Sequence, residues 1–282
     1  METYGKILMI ASPLFLALVL LEKAYGYYVK KDSFKALDMI SSLTSGFTNS
    51  VKDVLGLSVS ILSYGWMVNH WTIYKVESTI WVYIIAFVSL DLTGYLVHRM
   101  AHEINFFWNK HAIHHSSEEF NLACALRQSI SSFVSLFTIF LLPAALLGVE
   151  PKVIAIVAPL HLFAQFWYHT VYIGKMGFLE KIIVTPSHHR VHHASNARYL
   201  DKNMGTCLIL WDKLFGTFAA ESPEDPPRYG LTKAIPDRGP VNIVFHEWRD
   251  MLRDFRASPL PLSQRLGYLL RGPGWKPAVR EK

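Results

Sequence analysis

Nine of the thirteen histidines in this 282-residue chain fall inside two short windows. Residues 98–115 read HRMAHEINFFWNKHAIHH, and residues 188–193 read HHRVHH. About one histidine would fall there at the chain's average frequency, so composition does not account for the clusters. Helical geometry gives them a use. His98 and His102 are i,i+4 neighbours, while His111 with His114 and His115, and His189 with His192 and His193, combine i,i+3 and i,i+4 spacing. Each group therefore aims two or three imidazoles from one face at a common point. Such groups bind zinc, iron, copper or nickel.

Further along, His161, Gln165 and His169 recur every four residues in an apolar stretch that reads as helix. His169 lies near its cytoplasmic end, at the depth expected of the other clusters, and joins them; His161 sits about two turns deeper and reads as packing, with Gln165 beside it. The candidate metal ligands are then His98, His102, His111, His114, His115, His169, His189, His192 and His193. Nine imidazoles exceed what one first-row ion takes and suit two ions with about four or five each. Adjacent helical residues point about 100° apart, so His188 reads as a supporting or substrate-side residue rather than a ligand. Structural zinc in a reducing compartment usually recruits cysteine, but Cys124 and Cys207 form no CxxC pair and are expected to be free. Two carboxylates are candidate catalytic or supporting groups. Asp91 shares a helical face with Tyr95, His98 and His102, where it could receive a ligating imidazole or Tyr95, or be a core carboxylate paired to backbone or Arg99. Glu103 follows the first pair directly; Glu118 and Glu119 read as exposed or hydrogen-bonding partners. No residue is assignable to an organic cofactor.

The elements that must carry these groups are membrane helices. The chain is 51% apolar and only 18% charged, too oily for an ordinary soluble domain. Ile7–Leu21, Ile80–Val97, Ser129–Val149 and Val153–Val171 are long windows almost without charge, and the segment 52–70 is a weaker fifth. The expectation is an all-α, multi-pass bundle of four to five spanning helices, under a cytoplasmic helical cap that carries the two-metal site. If the helices alternate, segments 22–52, 98–128 and 173–282 share one side and hold 25 of the 28 basic residues. The positive-inside rule places that side in the cytoplasm, with Ile7–Leu21 as an uncleaved anchor. The net charge of +6 is then topology and calls for no nucleic acid. The whole chain, 1–282, reads as one membrane domain: N-terminal helices over 1–80, a histidine core over 81–220 and a C-terminal segment over 221–282. Turns at Pro223–Pro227, Pro236 and Gly239-Pro240 precede a short amphipathic helix over Ile243–Arg256, a core or membrane-surface element.

The motifs resemble the three histidine boxes of the fatty acid hydroxylase/sterol desaturase superfamily of membrane non-haem di-iron enzymes. The likeness extends beyond the boxes to QFWYHT (165–170), TPSHHRVHH (185–193), DKN (201–203), LILWDKLFGTF (208–218) and GPGW (272–275), and is closest to the branch acting on ether lipids. It covers roughly 90–280, and 1–80 match only as hydrophobic helices. In two places the chain departs: Asp91-Leu-Thr-Gly94-Tyr95 keeps one tyrosine where the family usually shows a pair, and the animal members continue past the GPGW motif into further hydrophobic helices.

The resemblance implies two iron ions held by the box histidines, with His169 as an additional ligand and Glu103 as a supporting residue. It further implies hydroxylation of the ether-bonded carbon of an alkylglycerol with dioxygen and tetrahydrobiopterin, the product collapsing to a fatty aldehyde and a glycerol derivative. Sterol desaturation or methyl oxidation and fatty-acyl hydroxylation are alternatives within the superfamily; a membrane metal transporter is the alternative outside it. No flavin, nicotinamide or iron–sulfur motif is present, so electrons come from a diffusible or external donor. The compartment expected is the endoplasmic reticulum in a eukaryote or the inner membrane in a bacterium.

Overall fold

A computed structural model describes residues 2–32, 35–55, 57, 59–60, 62–235 and 239–277, without the side chains of 2–12, 59 and 134. Pro236, one of the expected turn residues, lies outside this set. The fold is helical: α1 (Glu2–Tyr25), α2 (Ala36–Val54), α3 (Tyr64–Trp71), α4 (Ile80–Glu103), α5 (Asn105–His115), α6 (Leu122–Ala125), α7 (Leu142–Leu146), α8 (Pro151–Phe163), α9 (Pro186–His192), α10 (Leu210–Phe215), α11 (Pro240–Ala257), α12 (Leu262–Arg265) and α13 (Gly267–Leu270). Strand pairing among the described residues is limited to Val59–Ser60 beside Val134–Ser135 and two isolated bridges.

Among the described residues, α4 is the one helix long and apolar enough to cross a membrane. Its 24 residues span about 36 Å. Two of the expected spans are not single helices. Within Ser129–Val149 the chain forms a 3-10 turn over Phe137–Leu141 and then α7, which Pro143 opens in its first turn and Gly148 follows. Gly148 has φ +73°, and a Cβ there would lie 1.9 Å from the Tyr74 carbonyl oxygen, so only glycine allows this close approach. The Val153–Val171 window stops at Phe163, with Pro159 inside α8, and residues 164–168 are turns. His161 is therefore helical while His169 is carried by the following loop, which alters the expected four-residue register. In the 52–70 segment, where 56, 58 and 61 lie outside the described residues, α2 ends at Val54 and α3 begins at Tyr64.

Packing centres on α4, which lies against α5 and α8. A core of Met67, Val82, Ala86, Leu90, Leu141, Ala144 and Val153 fills the end away from the histidines. At the other end, α4 stops at Ile104, whose extended backbone (φ −123°) turns the chain sharply into α5. This α4–α5 corner brings His98 and His102 to face the end of α5. The amphipathic helix α11 packs Ile243 and Val244 against Ile113 of α5, and Asn109 Nδ2 lies 2.8 Å from Met251 Sδ. The expected stripe on this helix thus supports a histidine-bearing element from outside.

Candidate metal centre

All nine candidate ligands converge, and they divide into two sets. His98, His102, His111, His115 and His192 offer ring nitrogens within 4.8 Å of one another; His114, His169, His189 and His193 do the same. The division cuts across the sequence boxes. His114 and His115 are adjacent on α5, so their rings diverge by about 100° and each joins a different set. His192 and His193 diverge likewise at the end of α9. The spacing read from the sequence as three imidazoles aimed at one point is thus corrected: each triplet contributes to both sets, and His115 and His193 stack across the divide at 4.5 Å.

In the five-histidine set, the Nε2 atoms of His98 and His115 approach His111 Nε2 to 3.0 and 3.1 Å. In the four-histidine set, His189 Nε2 lies 2.8 Å from His169 Nε2, and His193 Nε2 lies 3.1 Å from His189 Nε2. An ion that binds imidazole at ~2.1 Å places opposite ligands ~4.2 Å apart, close to the observed spread.

The outward nitrogens explain why the inner ones face inward. His98 Nδ1–H donates to the Met204 carbonyl at 2.8 Å, His192 Nδ1–H to the Lys202 carbonyl at 2.9 Å, and His102 Nδ1–H to the Asp201 carboxylate at 3.2 Å. A carbonyl can only accept, so these bonds fix the tautomer and leave the Nε2 lone pair free for a cation. Two of those atoms, His102 Nε2 and His192 Nε2, are buried without a hydrogen-bond partner, as ligand atoms would be. One short loop, 201–204, thus braces three ligands of one set. Asp201 and Asn203 hold left-handed backbone there (φ +57° and +54°). Asp212 steadies the loop by accepting from the Met204 and Gly205 amides at 2.7 Å each, and Asn203 Nδ2 donates to the His188 and Ala219 carbonyls.

The four-histidine set has a different frame. His114 Nδ1–H donates to the Arg127 carbonyl and His169 Nδ1–H to the Phe166 carbonyl, both at 3.3 Å. Arg127 is 1% exposed and is locked by Asp38 (2.8 Å), Ser42 (3.0 Å) and Ser116 (2.8 Å). Aromatic rings form the walls: Phe120 lies 5.1 Å from His193, and Tyr168 lies 4.4 Å from His189. Burial first, and the neighbouring imidazoles second, hold His115, His169, His189, His192 and His193 well below the ordinary histidine range, and bring His114 down to about 3. Neutral imidazole is the form that binds metal. An all-nitrogen donor set with inward lone pairs and no cysteine fits iron.

Asp91 and Glu103 stand apart from the nine. Fully buried, Asp91 accepts from His161 Nε2–H (2.8 Å), Thr206 (2.8 Å), the amides of Cys207 and Leu208 (2.8 and 3.0 Å) and Trp211 Nε1–H (2.8 Å). Its partner is therefore His161, steadied by Gln165 donating to His161 Nδ1 at 3.0 Å, and Tyr95 pairs with Thr217 instead. Glu103 is half exposed and pairs with Arg99 at 2.7 Å. The side chain of His188 closes the start of α9 by accepting from the Thr185 amide at 3.3 Å. Cys124 and Cys207 are free and buried, and burial pushes the Cys124 thiol up to about 12. The residues that sequence reasoning passed over are Asp38, Arg127, Asp201 and Asp212. Arg127 and Asp212 carried a signal, since a charge beside the apolar runs LACAL and LILW needs a buried partner if the runs pack inward.

A helical scaffold with two buried imidazole sets defines a candidate two-metal centre. Residues 83–217 match the family model described as fatty acid hydroxylase. The chain is similar to the alkylglycerol monooxygenases of Homo sapiens (37% identity over 269 residues) and Danio rerio (38% over 270). Each alignment covers 95% of this chain and 59% of the relative, so the chain spans about three-fifths of their length. The ornithine lipid hydroxylase OlsE of Rhizobium tropici is 30% identical over 158 residues, 53% of this chain and 44% of that protein. No solved structure matches.

Proposed function

We propose that the chain is an oxygen-dependent lipid monooxygenase with two iron ions, one in each histidine set, acting on the ether bond of alkylglycerols. The observation that carries this reading is the pair of imidazole sets, five and four, each with outward nitrogens bonded so that lone pairs face inward. When bound, the irons supply the site of dioxygen activation. The nine histidines hold them. The 201–204 loop and Arg127 orient the rings, and Trp108, Phe120 and Tyr168 exclude water from their flanks. Asp91 acts as a positioning residue, tying α4 and α8 to α10 and to the chain just ahead of it. Glu103 steadies the last turn of α4 through Arg99.

The reaction balances with one dioxygen, two electrons and two protons. One oxygen atom replaces hydrogen by hydroxyl on the alkyl carbon next to the ether oxygen, and the other leaves as water. The hemiacetal so formed expels the glycerol oxygen and leaves a fatty aldehyde. Tetrahydrobiopterin is the proposed donor of both electrons. Further elements of the reading are a multi-pass topology and a cytoplasmic active site, in the endoplasmic reticulum of a eukaryote or the inner membrane of a bacterium. They are supported by the 25 of 28 basic residues on the histidine-bearing side of the alternating topology.

Feeding 1-O-[¹⁴C]hexadecylglycerol to iron-loaded protein with tetrahydrobiopterin tests the reading. Oxygen-dependent hexadecanal is expected. No aldehyde, with hydroxylation of another lipid instead, would overturn the ether-lipid assignment; an ornithine lipid is the substrate that the likeness to OlsE would then favour.

A further inference from the structure

Beside the middle of α4 two short elements meet, a 3-10 helix over Gly177–Lys181 and α10. An antiparallel bridge between Ile183 and Leu208 joins them; the Val184 amide donates to the Cys207 carbonyl at 2.8 Å and the Ile209 amide to the Ile182 carbonyl at 3.1 Å. Asp91 fixes their depth. It sits halfway along the 24 residues of α4, about 17 Å from either end at ~1.5 Å per residue. There it accepts from the amides of Cys207 and Leu208 and from the Trp211 indole. A helix that crosses the membrane carries its midpoint into the hydrocarbon, and backbone bonded to that midpoint goes with it. Backbone at such a depth needs its polar groups paired, and the amides of Val184, Cys207, Leu208 and Ile209 are.

The outer faces of the two elements are apolar. Leu210, Leu214 and Phe215 of α10 are exposed, as are Phe178, Leu179 and Ile182 beside them, Phe178 by 66% and Leu214 by 69%. A helix bathed in water turns its charges outward, whereas α10 buries Asp212 against the Met204 and Gly205 amides and shows leucine and phenylalanine outside. Six apolar side chains on two joined elements exceed the scattered exposures of a soluble surface. Lys181 and Lys213 lie along rings of this face, over Phe178 at 5.8 Å and Phe218 at 5.4 Å. Lysine stems so placed cover apolar surface and carry the ammonium toward lipid phosphates. Lys213 also ties the elements together by donating to the Lys181 carbonyl at 2.8 Å, and Glu180 is engaged by the Met176 amide at 3.0 Å and by Thr185.

We propose that residues 177–182 and 208–215 dip back into the bilayer on the histidine side, with lipid acyl chains as the partner of their outer faces. The assignment rests on α4 crossing the membrane, part of the reading above. Continuity argues for lipid rather than a second copy of the chain: α4, on which the elements lean, exposes Ile84, Ile85 and Val88 too, so acyl chains that cover α4 reach them. Phe215 stacks on Tyr95 at 5.3 Å, and Tyr95 precedes His98 by about one helical turn, so the lipid-facing side of α10 borders the five-histidine set.

Depth-resolved fluorescence quenching of the full chain in phosphatidylcholine vesicles tests the proposal. Single nitrobenzoxadiazole labels are attached to Phe178→Cys, Leu214→Cys, Val88→Cys on α4 and Glu224→Cys in an exposed turn; Cys124 and Cys207 are buried, and labelled wild type gives the background. At positions 178 and 214, a phosphatidylcholine carrying a nitroxide on its acyl chain is expected to quench as strongly as at position 88. Aqueous iodide should quench there at least about fivefold less than at position 224, as for groups roughly 5–10 Å below the headgroups. Iodide quenching at 178 and 214 equal to that at 224 would overturn the dip. Protection from both quenchers would also overturn it, in favour of a protein partner. In both cases lipid quenching at 88 leaves the crossing of α4 standing; iodide reaching 88 as it reaches 224 would overturn the crossing and the dip together.

Discussion

The two histidine sets are built from the same residue type and differ in what holds them. Three members of the five-histidine set lean on one polar loop, 201–204, including a carboxylate that is 64% exposed. The four-histidine set leans on the carbonyls of Arg127 and Phe166 and on aromatic walls, deep beside α1 and α2. One set is braced by a partly exposed loop and the other by buried groups. Their ligands are interleaved along α5 and α9, so the sets share helices but not braces. Damage to a brace should therefore be local even though damage to a helix is not.

The largest effect expected is from the ligands themselves. His192→Ala and His114→Ala should each abolish turnover and lower iron from two equivalents per chain to one, read by metal analysis of the purified protein. Loss of both irons from either variant would show that the sets are not independent. Asp91→Ala comes next. It strands a buried histidine and four other donors, and a broken buried pair typically costs about 3–5 kcal/mol. A large fall in thermal stability is expected, with loss of yield from the membrane; an unchanged melting temperature would contradict the positioning role.

Asp201→Asn separates the braces more finely. It leaves the fold intact and is expected to weaken iron in the five-histidine set by 10–100-fold, the usual effect of removing a partner of a ligating histidine. Binding in the four-histidine set should not change. Mössbauer spectra of partially loaded protein distinguish the two, and equal weakening of both would break the comparison. The smallest effect is at Arg190–Glu221, where two bonds of 2.9 and 2.7 Å tie α9 to the segment after α10. Burial alone would raise the Glu221 carboxyl, and the bonds from Arg190 outweigh it and lower it. A carboxylate held low adds stability above its unfolded value of about 4.3 and loses it as pH falls through the folded value. Melting curves of wild type and Glu221→Gln should thus differ by a few degrees at neutral pH and converge below about pH 4.

Much of this centre is legible in the sequence, because helical spacing is a local property. The nine candidate histidines and the expectation of two ions follow from i,i+3 and i,i+4 neighbours and from ligand number. What spacing does not convey is the sharing of each triplet between two sets, which depends on where α4 and α9 lie around α5. The braces are equally non-local. Asp201 meets His102 across 99 residues, and Asp91 meets Trp211 across 120. Hydropathy alone also overstated the helices: Ser129–Val149 and Val153–Val171 are apolar enough to span, but Pro143, Gly148 and the turns after Phe163 divide them. Asp91 was legible as a costly buried charge, while its partner His161 was not, because an apolar helix gives no sign of which face meets α4.

Iron titration of the metal-free protein, with oxygen-dependent aldehyde formation followed at each addition, tests the central claim most directly. Two equivalents are expected to bind, with turnover appearing only as the second enters. Full turnover at one equivalent, or saturation at one, would contradict a centre built from two histidine sets.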